Sequence, residues 1–117
     1  MKTFDYFCEV KVLVKKTILY YIKRYPQAET QLMIWYTEFS RQEFDNFNEL
    51  KNVYGNASIV NNNRVVFNIK GNSFRLVISV NFVQSASYVI WFGTHREYDK
   101  IDVSTVPFDV NILTSKL

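Results

Sequence analysis

Apolar residues recur at helical spacing in the first part of this chain and at strand spacing in the second. Val-Lys-Val-Leu-Val at 10–14 predicts a short strand. From Lys15 the period lengthens. Val14, Ile18, Tyr21/Ile22 and Tyr25 share one face of a helix expected over 15–24. Pro26 either ends that helix or starts the next, because proline fits a first turn and not an interior. Ala28, Leu32, Trp35/Tyr36 and Phe39 form a second helical stripe, whose aromatics read as core packing. Residues 40–57 are polar and irregular. Within them Phe44, Phe47, Leu50 and Tyr54 suggest a helical turn around 47–53, closed by Gly55-Asn56, residues that tolerate positive φ.

The second half reads as a β-meander. Asn61-Asn62-Asn63 is a turn. Arg64–Ile69 alternates, with Val65, Phe67 and Ile69 on one face and Arg64, Val66 and Asn68 on the other. Gly71-Asn72 makes a hairpin into Phe74–Phe82. There Phe74, Leu76, Ile78, Val80 and Phe82 oppose Arg75, Val77, Ser79 and Asn81. Gln84–Ser87 is turn-like, and Ser87–Phe92 is the last clear strand. The order is β-α-α followed by three or four antiparallel strands, an α+β arrangement. Two helices cover only one face of such a sheet. The other face is expected to stay open, with Arg64, Asn68 and Arg75 on a shared, partly basic surface.

Composition narrows the class. The chain has 117 residues, the size of one domain, with no repeat, linker or low-complexity segment. Hydrophobic residues make up 48% and aromatics 17%, which supplies a core and excludes global disorder. Cys8 is the lone cysteine, so there is no internal disulfide and no cysteine cluster for zinc. That fits the cytoplasm, where the chain is expected. Asp5 and Glu9 interrupt the opening segment, so no signal peptide is expected. No apolar run is long enough for a membrane span, so no membrane partner is expected.

The net charge of +3 is unevenly spread. Residues 11–24 hold Lys11, Lys15, Lys16, Lys23 and Arg24 with no acid, and residues 29–49 are acidic. Residues 51–100 are basic again, through Lys51, Arg64, Lys70, Arg75, Arg96 and Lys100. A basic stretch over the sheet suits a polyanionic partner, although such charge is commonly a solvated face.

After the last strand, Gly93-Thr94-His95-Arg96-Glu97-Tyr98-Asp99-Lys100 gathers seven polar or ionisable side chains behind one glycine. Thr94-x-x-Glu97 has capping-box spacing and predicts a short helix from Thr94. His95 is the single histidine, which excludes a two-histidine acid–base pair. RNA cleavage by its own 2′-hydroxyl needs a base, a cation for the phosphorane and an acid for the leaving oxygen. Arg75 suits the cation. His95 and Tyr98 suit base and acid, and Tyr98 could instead stack on a nucleobase. No nucleophile elbow, P-loop, dinucleotide fingerprint or metal-ligand cluster is present, so no cofactor and no metal are expected.

At these residues the chain resembles a known family. Arg64-Val65-Val66-Phe67-Asn68-Ile69-Lys70-Gly71-Asn72-Ser73-Phe74-Arg75-Leu76, followed by Gly93 to Asp102, is similar to the paired blocks of HigB-type toxins of the RelE/ParE-like superfamily. Lys15-Lys16-Thr17, Tyr25-Pro26 and Ala28-Glu29 match the family's opening, and the likeness covers about 10–105. The resemblance implies a RelE-like fold, with two N-terminal helices packed on one face of a twisted antiparallel sheet. It implies a type II toxin that cleaves mRNA on the translating ribosome. It also implies a cognate helix-turn-helix antitoxin, through which alone operator DNA is bound. Carried over residue by residue, Arg75, His95 and Tyr98 are the catalytic candidates. Lys70, Arg64, Arg96, Asn68 and Lys100 are the RNA-binding candidates. Asn72 and Glu97, with Asn68 as the alternative to its RNA contact, are expected to brace the hairpin and the cap. Residues 1–9 and 106–117 are expected to extend a single toxin domain, the latter loosely. The competing readings are a non-catalytic module, such as a ParE-like gyrase poison or a degenerate toxin kept for repression, and a generic RNA-binding domain.

Overall fold

The structure, a computed structural model, describes residues 15–61 and 63–114. The strand expected at 10–14, Cys8 and the extension at 1–9 lie outside them. Helix α1 occupies residues 15–24. It stops at Tyr25, and a 3-10 turn Pro26–Ala28 leads into α2, Glu29–Ser40. Pro26 therefore starts the second helical unit, where its missing N–H has no bond to lose. Helix α3, Phe47–Val53, is capped by Asn46, whose side chain accepts from Glu49 N at 3.0 Å. Glu49 Oε1 in return accepts from Asp45 N at 2.9 Å. Gly55 and Asn56 follow it as a turn, yet neither adopts a positive φ. Lys51 Nζ instead gathers the carbonyls of Gly55 and Ala57, which corrects the expected left-handed closure.

Four antiparallel strands follow in spatial order β1-β2-β3-β4 among the described residues. They are β1 Ser58–Val60, β2 Arg64–Ile69, β3 Phe74–Asn81 and β4 Ala86–Thr94. Asn63 takes a left-handed φ of 62° in the first turn. In the β2–β3 turn the left-handed positions are Lys70 (56°) and Gly71 (63°), one residue earlier than the expected Gly71-Asn72 pair. Short helices α4, His95–Tyr98, and α5, Asn111–Thr114, complete the described chain.

Period-2 alternation places Val65, Phe67, Ile69, Phe74, Leu76, Ile78 and Val80 on one face, where they form one cluster with residues of all three first helices. Ile18 and Tyr21 come from α1, Leu32 and Trp35 from α2, and Leu50 from α3. Aromatic rings join these layers. Trp35 stacks on Phe39 with centroids 4.9 Å apart, and both meet Phe67 edge-on. Each such pair adds about 0.5–1.5 kcal/mol beyond area burial.

The opposite face is not open along its length. Val66, Val77 and Ile90 form a second buried cluster, covered by Val103, Val106 and Phe108 of the C-terminal segment. A register shift between Val77 and Ile78 produces it in part. Val77 pairs with Trp91 and Ile78 with Val89, so Ile90 is the extra residue of a bulge and turns to this face. Phe108 packs against both clusters, and Ile112 is fully buried in the first. Within the segment expected to be loose, Val106, Phe108 and Ile112 thus pack on the core, because the sheet carries apolar side chains on both faces.

Ile112→Ala should lower the unfolding free energy by about 2–5 kcal/mol, the usual cost of emptying a buried aliphatic site. Chemical denaturation measures it; an unchanged midpoint would mean that the tail contributes nothing to the core.

Candidate functional site

The candidate residues meet at the end of the sheet formed by the β2–β3 hairpin and the β4–α4 junction. Register fixes their neighbourhood. Asn68 lies opposite Arg75, and Arg75 lies opposite Gly93. The hairpin holds the Arg75 guanidinium: Nη2 donates to Asn72 Oδ1 at 3.1 Å and Nη1 to Phe74 O at 3.1 Å. His95 joins the same hairpin through its backbone, its N–H donating to Ser73 O at 3.0 Å. Arg75 and α4 are therefore positioned by one turn.

Helix α4 starts at a full capping box. Thr94 Oγ1 accepts from Glu97 N at 3.1 Å, and Glu97 Oε1 accepts from Thr94 N at 2.9 Å. The same carboxylate oxygen accepts a 2.7 Å bond from the Tyr25 hydroxyl. These bonds, from the Thr94 backbone first and then from Tyr25, hold Glu97 below the usual carboxylate range. Burial and then the bond to Glu97 push Tyr25 up to about 12. Tyr25 packs edge-on against Phe74 and Phe92, so the knot anchors α4 to the first core. At Gly93 any larger residue would force Trp91 or Glu97 to shift. A Cβ would lie 2.7 Å from the Trp91 ring and 2.8 Å from Glu97 Oε1, closer than side chains tolerate.

His95 is exposed at the rim, with Nε2 3.6 Å from Asp99 Oδ1 one helical turn on. That is an ion pair when the ring is protonated, and its exposure makes it a weak one. Tyr98 is half-buried, its ring 6.2 Å from that of Trp91. Arg96 and Lys100 are exposed on α4 and the turn after it. Among the described residues no group of three or more His, Cys, Asp or Glu side chains is arranged to hold a metal ion. No described helix is long and apolar enough to cross a membrane.

Two of the expected phosphate ligands bond to backbone carbonyls of other elements. Lys70 Nζ donates to Gln27 O at 3.0 Å, tying the hairpin to the 3-10 turn. Arg64 is half-buried, and its Nη1 donates to Val103 O at 2.9 Å and Val106 O at 2.6 Å. Arg64 therefore leaves the exposed surface it was expected to share with Asn68 and Arg75, because the tail's carbonyls need a donor where they cross the sheet. Arg75 too is only half exposed, whereas Asn68 is exposed. The expected bracing roles hold for Asn72, which grips Arg75, and for Glu97 in the cap. The sequence places Tyr25 on a helical face and Trp91 in the last strand, and gives neither a part in the site. Tyr25 lies within the family's opening motif, a usable signal. Trp91 has none, because its direction depends on the bulge.

A protein-family model described as HigB_toxin, RelE-like toxic component of a toxin-antitoxin system, matches residues 28–101. None of the curated proteins matches the chain.

Glu97 supplies a pH test of the knot. Its depressed value means that its contribution to stability is complete above the ordinary 4.5 and is lost as pH falls through the folded value. Between pH 7 and pH 3, Glu97→Gln should show a shallower fall in unfolding free energy than wild type. Parallel curves in pH-dependent denaturation would rule the knot out as a source of stability.

Proposed function

The chain belongs to the HigB toxin family, the RelE-like toxic component of a toxin–antitoxin system, and we propose that it acts as an endoribonuclease on mRNA being translated by the ribosome. One observation carries the reading. A guanidinium held by its own hairpin, Arg75, and a helix bearing a histidine and a tyrosine, His95 and Tyr98, are fastened to the same turn.

In this mechanism the RNA 2′-oxygen attacks the adjacent phosphorus as a base removes its proton. The O2′–P bond forms, the P–O5′ bond breaks, and an acid protonates the departing 5′-oxygen. The products are a 2′,3′-cyclic phosphate and a 5′-hydroxyl, and neither metal nor cofactor takes part. Arg75 stabilises the charge gathering on the phosphorane oxygens, worth most when the donor is already in place. His95 and Tyr98 divide the two proton transfers. Asn68, Arg96 and Lys100, all exposed around this rim, contact the flanking RNA. Arg64 is left out of the contact set, since it is half-buried and its Nη1 bonds to two carbonyls of the C-terminal segment, whereas Lys70, exposed and with a single bond to Gln27 O, stays in it.

A toxic component implies an antitoxin partner. In the proposed assembly that partner carries a helix-turn-helix domain, the toxin reaches operator DNA only through it, and both act in the cytoplasm.

Induced expression in a bacterial host with 5′-end mapping of transcripts tests the reading. Cuts should fall within translated regions. Arg75→Ala and His95→Ala, each still folded, should lower cleavage by about 10²-fold or more and relieve growth arrest. Arrest with intact transcripts would replace the nuclease by a poison of the ParE kind, and absence of arrest would indicate a member acting only in repression.

A further inference from the structure

The family match ends at residue 101, and the segment beyond it does the least expected thing in the structure. It begins with a turn built on Asp102, whose Oδ1 accepts from Ser104 N at 3.1 Å and Ser104 Oγ at 2.7 Å. Its carbonyl accepts from Thr105 N at 3.1 Å and Val106 N at 2.8 Å. This turn presents two carbonyls, Val103 O and Val106 O, to the single Nη1 of Arg64. Val103, Val106 and Phe108 then lie on Val66, Val77 and Ile90, in one cluster with Trp91 and Tyr98. Further on, Tyr20 donates to Asp109 Oδ2 at 3.5 Å, Lys16 Nζ donates to Leu113 O at 2.9 Å, and Ile112 is sealed in the first core.

We infer that Arg64 is a positioning residue, holding the segment 102–114 as a strap whose apolar side chains fix Trp91 and Tyr98 at the edge of the candidate site. The catalytic half of this inference rests on the proposed nuclease activity; the mechanical half rests on packing alone. Tyr98 ends a helix of a single turn, His95–Tyr98, which is too short to hold a side chain by itself. On one side the Glu97 knot fastens that helix. On the other, the ring's support is Trp91 and the Val66–Val77–Ile90 cluster, which the strap covers. Without the strap, Val66, Val77 and Ile90 would face water, and the cluster that backs the Tyr98 ring would lose its cover.

This reading separates sharply from that of Arg64 as a phosphate ligand. A phosphate ligand acts on RNA affinity and on its salt dependence. A positioning residue acts on turnover. In the full-length protein, Arg64→Ala should speed hydrogen exchange at the amides of Thr105 and Val106 by about tenfold or more, a loss of roughly 1.4 kcal/mol of protection. It should shift the Trp91 emission, read in a Trp35→Phe background. Cleavage should lose about tenfold in kcat, with KM for RNA and the slope of affinity against salt unchanged. Arg64→Lys keeps the charge but not the guanidinium's reach to both carbonyls, and should show the same pattern in weaker form; it carries the comparison if the alanine variant fails to fold.

A salt slope reduced by about 0.7 with a raised KM and unchanged exchange would make Arg64 an RNA ligand and overturn the inference. Full kcat in a variant whose strap exchanges freely would equally overturn it. Should the wild-type protein cleave no RNA, the nuclease reading fails by itself. Exchange and Trp91 emission still decide the strap: faster exchange with shifted emission supports it, and unchanged values refute it.

Discussion

A sheet with apolar side chains on both faces must be covered twice, and most of the architecture answers to that requirement. Helices α1, α2 and α3 close the first face over Phe67, Leu76 and Ile78. They cannot reach Val66, Val77 and Ile90, which point the other way. Leaving three aliphatic side chains in water would forgo about 1.5–3 kcal/mol each. The C-terminal segment supplies the second cover, and Phe108, touching both clusters, marks its crossing from one face to the other. The polar rim that remains at the hairpin end is where the candidate chemistry collects.

That division explains how the cations are used. Backbone carbonyls brought over an apolar surface lose water and need donors. Arg64 meets two of them, while Lys70 bonds Gln27 O and Lys51 bonds Gly55 O at exposed positions. Arg75 differs in that its partners belong to its own hairpin, so its bonds set an orientation without bridging distant elements. Basic residues that look equivalent in a charge tally thus perform unlike tasks.

Glu97 links the core to the site. One carboxylate oxygen takes the Thr94 amide and the Tyr25 hydroxyl, and Gly93 keeps the space it occupies clear. Through Tyr25 that oxygen is tied to Phe74 and Phe92, and through Thr94 to the first turn of α4. The placement of His95 and Tyr98 therefore depends on a tyrosine some seventy positions earlier in the chain. A one-turn helix needs such an anchor, because a helix that short has too few internal bonds to persist alone.

Local rules made much of this protein legible from its sequence. Helical spacing located 15–24 and the stripe from Ala28 to Phe39; alternation located β2 and β3; Thr94-x-x-Glu97 located the cap of α4; and the paired blocks around Arg75 and His95 identified the family. Each of these signals lies within a few residues of the feature it specifies. What tertiary structure alone decided lies at long range. The bulge that turns Ile90 toward the second face depends on the register of β3 against β4. The destination of Arg64 depends on a turn about forty residues away, and the bond from Tyr25 to Glu97 on two helices meeting beside a strand end. A periodic pattern states which way a side chain points from its own backbone. It cannot state what will be standing there, because that is fixed by how the whole chain closes over both faces of its sheet.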